Sequence, residues 1–160
     1  MEILVVLALF VLALFFINRW KRGKEIGGRI SNTINTLGKI QSLISLFKSY
    51  LTEDALRNDE DVAYYLSYLR GVVEELCKYD QQECDLVQMT PIYQEVHRLG
   101  CLESDQIFEE GREVLLRLIK TPDGQQGLED GMSDGAYMAN PKNPAPYFGN
   151  LISRFNIPTA

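Results

Sequence analysis

Cys77, Cys84, Cys101 and the chain's single histidine, His97, fall within one short window, and these are residue types that bind metal or carry redox chemistry. Three thiolates and an imidazole form an accepted structural zinc set. His97 and Cys101 are four apart, so a helix running through both would turn them to one side. Against this, the Cys77–Cys84 gap exceeds the usual two to four intervening residues. Gly100 should also end a helix before Cys101. The expectation is therefore small buried thiols and a partly solvated His97, with no resident metal or other cofactor. A Cys77–Cys84 disulfide is not expected. Seven residues of continuous helix would separate the pair by about 10.5 Å, beyond the roughly 7 Å limit between bridged Cα atoms.

Glu75, Cys84 and Thr90 form a second grouping. Their spacing resembles the Glu-x8-[Asp/Cys]-x5-Thr catalytic pattern of phage-type lysozymes, some of which also carry an N-terminal membrane anchor. The resemblance implies Glu75 as general acid, with Cys84 and Thr90 positioning or activating the water or sugar. It covers three residues, and a polar KYDQQE stretch stands where that family has a glycine- and tyrosine-rich hairpin. No Gly-rich phosphate loop, Ser/His/Asp grouping or HExxH occurs, and one histidine leaves little for acid-base work. The chain is expected not to be an enzyme, and no catalytic residue is assigned.

The elements that must position these side chains begin with Ile3 to Ile17, an unbroken apolar run followed by Arg19, Lys21, Arg22 and Lys24. With its flanks and Trp20 as an interfacial aromatic, residues 1–22 read as a single transmembrane anchor. Residues 3–24 would contact lipid. Glu2 ahead of the run and NRWKRGK behind it depart from a cleaved signal peptide. Because the nearby positive charges all follow the run, the N-terminus is expected outside and the C-terminal domain in the cytoplasm. Through Tyr50 basic residues outnumber Glu2 and Glu25, whereas acids dominate beyond it, and the chain's net charge is −6. An acidic domain is repelled by phosphate backbones, so nucleic-acid binding is not expected.

After a joint at 23–29, helical patterning prevails, and an all-α bundle is expected over 30–121. Ile30, Leu37, Ile44 and Leu51, with Thr33, Ile40 and Phe47 between them, make an a/d heptad. It reads first as an amphipathic helix packed on its own domain, with a helix-mediated oligomer as the alternative. A second helix opens at Asn58 or Asp59 and presents Val62, Tyr65, Leu66, Leu69, Val72, Val73 and Leu76 on one face. Tyr64 and Tyr68 lie at its edge as a candidate partner surface. Thr90-Pro91 reads as a cap and first helical residue. Ser104 and Asp105 open a fourth helix with Ile107, Phe108, Val114, Leu115, Leu118 and Ile119 inward, and Thr121-Pro122-Asp123-Gly124 stops it. Repeated Asp-Gly pairs and Pro141, Pro144 and Pro146 then predict an extended tail over 122–160. Its Tyr147, Phe148, Leu151 and Phe155 are candidate partner anchors. The functional expectation is a single-pass membrane-anchored adaptor or accessory subunit, binding a protein partner through the acidic helical domain and aromatic tail. The alternative is a membrane-tethered regulator whose helical domain binds a metal or small ligand.

Overall fold

Asn58 caps the helix around which the others pack. Its side chain accepts from the Asp61 N–H at 2.7 Å, and Asp59, Glu60 and Asp61 complement the positive end of the helix dipole. The computed structural model describes residues 28, 31–51, 55–56, 58–102, 106–140, 142–143 and 147–157. The chain divides after Asn35. Of the first unit, residues 28 and 31–35 are described and are helical. The second unit, Thr36–Ala160, carries the bundle. All its regular structure among the described residues is helical: α1 (31–50, with 36–50 in this unit), α2 (Asp59–Tyr79), α3 (Leu86–Arg98), α4 (Ile107–Leu118), α5 (Pro122–Ala139) and α6 (Gly149–Phe155).

The apolar run at 3–17 and its basic flank lie outside the described residues. Among the described residues no helix is long and apolar enough to cross a membrane. That finding corrects the expected single-pass localisation with a cytoplasmic C-terminal domain. Within the expected joint, Gly28 is helical.

α1 buries Thr36, Ile40, Ile44 and Phe47, with Leu51 just beyond its end. This is one face at three- and four-residue spacing, used inside the domain. Leu37, one of the heptad positions, is only half-buried. α1 is tied to the end of α2 by Asp80, which accepts from the Thr36 hydroxyl and, at 3.1 and 3.2 Å, from Lys39 Nζ.

α2 buries the stripe read from sequence and the neighbouring face as well, including Ala63, Tyr64, Ser67 and Tyr68. The reason is α5. The segment expected to be an extended tail from residue 122 is an eighteen-residue helix as far as Ala139. Thr121 caps it, accepting from the Gly124 N–H at 3.1 Å, and Pro122 occupies the first turn. The Asp-Gly pairs are not turns. Their glycines, Gly124, Gly131 and Gly135, form the buried face of α5 together with Gly127 and Asp134.

A Cβ at Gly127 would lie 2.2 Å from the Tyr64 carbonyl oxygen, and one at Gly131 would lie 2.1 Å from that of Tyr68. From the other side, a Cβ at Gly71 would meet the Leu128 carbonyl at 2.4 Å. The two helices thus run parallel with their backbones in contact, which only glycine permits. Hydrogen bonds repeat on the same period: Tyr64 Oη donates to Asp130 at 2.7 Å, and Tyr68 Oη to Asp134 at 2.9 Å.

α6 closes this pair. Leu151 is buried, Phe148 meets Phe47 edge-on with centroids 5.2 Å apart, and Phe155 meets Tyr64 at 5.9 Å. Asn150 gives its backbone N–H and its amide to Asp134 at 3.1 and 2.9 Å. Arg154 bridges Asp61 and Asp123 with its guanidinium 5.0 Å above the Tyr64 ring.

Candidate functional site

The turn after α2 decides where the cysteines meet. Gln81 adopts a left-handed backbone (φ 54°), its N–H bonds the Lys78 carbonyl at 3.1 Å, and the Gln82 N–H bonds that of Cys77 at 2.8 Å. This is a Schellman stop built on glutamine where glycine is usual. The helix therefore ends at Tyr79, and the chain doubles back and brings the Cys84 thiol against that of Cys77. The continuous helix assumed between Cys77 and Cys84 is therefore absent, and both cysteines are free. The proximity of the two sulfurs, with burial, pushes the buried Cys77 thiol up, and the same neighbour pulls the exposed Cys84 down, toward thiolate.

Asp85 then caps α3, accepting from the Val87 N–H at 2.8 Å. α3 thus begins at Leu86, ahead of the expected Thr90-Pro91 start, and Pro91 lies inside the helix. Between α2, α3 and α4 lies a groove of about 300 Å³. Cys84, Met89, Tyr93 and Arg112 line it, together with the Arg70–Glu74 ion pair at 2.7 Å. Leu86 and Leu116 also line it, yet they are 56 % and 41 % exposed. Phe108, 48 % exposed, packs edge-on against Tyr93 at 6.5 Å and extends the apolar surface. Phe108 was expected inward with Ile107, Val114, Leu115, Leu118 and Ile119. Val114 and Leu115 are buried and Ile107, Leu118 and Ile119 pack partly buried against the core, so Phe108 alone of that set turns out.

The other expected sites disperse. Tyr64, Tyr68 and Leu151 are core residues, and Phe148 and Phe155 pack against that core. Their side chains pack within the domain. Only Tyr147 of the six is widely exposed, at 53 %. No group of three metal-ligating residues assembles among the described residues. His97 is exposed on α3, and Cys101 lines a separate surface hollow beside Glu110, Glu113 and Arg117.

The lysozyme-like set does not converge either. Glu75 lies against Gly135 of α5 and pairs with Lys78, whereas Cys84 faces the groove beside Glu74. The Thr90 hydroxyl is spent on the Leu86 carbonyl at 2.8 Å.

Glu95 escaped sequence reading. It is almost fully buried on α3, where it takes an ion pair from Lys48 of α1 and another from Arg98 at 3.0 Å. Its position beside Val96 in the buried stripe of α3 was the available signal.

Fold and site together define an all-helical domain with one apolar, arginine-rimmed groove and a dithiol at its edge. No known protein family, curated protein or solved structure matches the chain.

Proposed function

We propose that this domain is a protein-interaction module whose groove between α3 and α4 receives an apolar anchor from a partner protein. One observation carries the reading. Leu86, Leu116 and Phe108 stay in solvent around a floor of Met89 and Tyr93, although the same chain packs Phe148 and Phe155 against the core. Exposed apolar surface of this kind, gathered at a concave site, is favourable to cover.

The rim adds direction. Arg112 has no ion pair among the described residues, and Arg70 stands across the groove on α2. With Arg70 already paired to Glu74, the Arg112 guanidinium favours an anchor followed by a carboxylate. Central apolar anchors of this sort carry much of an interface's energy.

The test is a photo-crosslinking residue at Leu116, followed by identification of the crosslinked protein and binding measurements with that protein purified. Leu86→Asp and Leu116→Asp should each weaken binding by about tenfold or more, the loss of roughly one apolar anchor. Full binding by both, with loss on Tyr147→Ala, would move the interface to the tail and overturn the proposal.

A further inference from the structure

The edge of the groove carries a second chemistry that does not depend on what the groove binds. Arg70, Glu74 and Cys77 recur at four- and three-residue spacing along one face of α2. Cys84 is laid over that face by the Schellman turn. It is open to solvent, while Cys77 behind it is buried. We propose that Cys84 is a site of oxidation by hydroperoxides and that Cys77 resolves the product into an intrachain disulfide.

The arrangement supplies each requirement of that chemistry. The attacking sulfur is accessible, and the turn sets the second sulfur beside it on the face of α2 that carries Arg70 and Glu74, so little chain movement precedes bond formation. The charged groups around Cys84 are Arg70 and Glu74 from α2, Asp85 from its own loop and Arg112 from α4. The neighbouring Cys77 thiol and Arg70 favour the thiolate, and together they outweigh burial, Glu74 and Asp85, which oppose it.

In the first step the Cys84 thiolate attacks one peroxide oxygen. The O–O bond breaks, its electron pair leaves with the departing oxygen, which is released as water from hydrogen peroxide, and Cys84 becomes the sulfenic acid. In the second the Cys77 sulfur attacks the Cys84 sulfur. The S–O bond breaks, and hydroxide leaves with the Cys77 proton as a second water. Two thiols lose two electrons in all, and one peroxide is reduced to two waters.

Cys101 is the internal control. It is half-buried, away from the groove, and burial raises its thiol without an offsetting sulfur partner. The experiment uses the full chain, reduced and then exposed to equimolar hydrogen peroxide, with peptide mapping under non-reducing conditions at timed intervals. A Cys77–Cys84 cross-linked peptide should accumulate while Cys101 remains alkylatable, with Cys84 consumed at least about tenfold faster than Cys101. In Cys77→Ser the disulfide should vanish, and a cyclic 1,3-dione should capture the sulfenic acid at Cys84. Cys77→Ala serves the same purpose if a buried hydroxyl impairs folding. The wild-type mapping stands alone if neither variant folds. Accumulation of stable Cys84 sulfenic or sulfinic acid in the wild type, or equal loss of Cys101, would overturn the proposal.

Discussion

Gly131→Ala puts one methyl group where the two central helices touch, and its effect can be worked from the contact itself. The new Cβ would lie 2.1 Å from the Tyr68 carbonyl oxygen. Reaching ordinary contact needs a parting of about 1.3 Å, and well-packed interiors do not absorb such a shift freely. Parting stretches the Tyr64–Asp130 and Tyr68–Asp134 bonds, now 2.7 and 2.9 Å, beyond useful length.

Alanine gains about 1 kcal/mol over glycine in helix propensity. Overpacking loses about 1–3 kcal/mol, and each hydrogen bond to a carboxylate is worth about 1.5–3 kcal/mol. The balance is a destabilisation of about 3 kcal/mol or more, a large share of a typical domain's 5–15 kcal/mol. Urea titration followed by far-UV circular dichroism should show the midpoint falling by about 2 M. Gly38→Ala is the matched control. It also sits inside a helix, but nothing lies within 4 Å of its added Cβ, so it should stabilise by about 0.5–1 kcal/mol. If both substitutions stabilise the protein alike, the helices are not in backbone contact and the description of α5 is wrong.

Gln81→Gly should raise stability by about 1–2 kcal/mol, since it relieves a left-handed residue at the end of α2. No change in the urea midpoint would mean that the turn is not formed as described. Leu151→Ala should lower stability by about 2–5 kcal/mol, and Tyr147→Ala by less than about 0.5 kcal/mol. Equal effects would show that α6 is not docked. Burial raises Tyr64, Tyr65 and Tyr68, with Asp130 and Asp134 reinforcing Tyr64 and Tyr68. Above pH of about 10 the unfolded chain sheds these phenolic protons while the folded one keeps them. Stability is therefore unaffected below that point and falls above it, by about 4 kcal/mol per pH unit for the three together. Phenolate absorbance and loss of helix should then rise together in alkali, and free titration of all tyrosines in a folded protein would refute the burial.

Helices governed by apolar periodicity were readable in the sequence. The stripe on α2 is buried from Tyr65 to Leu76, and α1 turns its apolar face to its own domain. The misreadings share one cause, which is that local signals are ambiguous until a partner is known. Thr-Pro occurs twice. At Thr121-Pro122 it opens a helix where a stop was expected, while at Thr90-Pro91 it lies inside one because Asp85 caps first. Asp-Gly signals a turn on its own, but at four-residue spacing it becomes a small face bearing carboxylates, legible only once Tyr64 and Tyr68 lie opposite. The groove was hidden for a related reason. Phe108 fits a core pattern, and nothing local announces that α4 leaves it uncovered. Cys84 was misplaced because a single left-handed glutamine redirects the chain.

The pairing of α2 with α5 is nearly self-similar under translation. Gly127 and Gly131 sit on Tyr64 and Tyr68, while Asp130 and Asp134 receive the two hydroxyls. Sliding α5 by one turn, about 5.4 Å, would set Gly131 on Tyr64 and offer Asp134 to the same hydroxyl. The two helices alone thus specify their alignment only weakly, and a slipped pair is an accessible trap during folding. α6 breaks the degeneracy. Asn150 binds both Asp134 oxygens, sharing one of them with Tyr68, and Arg154 spans Asp61 and Asp123, one on each of the two helices. α6 acts as a locating pin, and the final choice of alignment waits for it to dock.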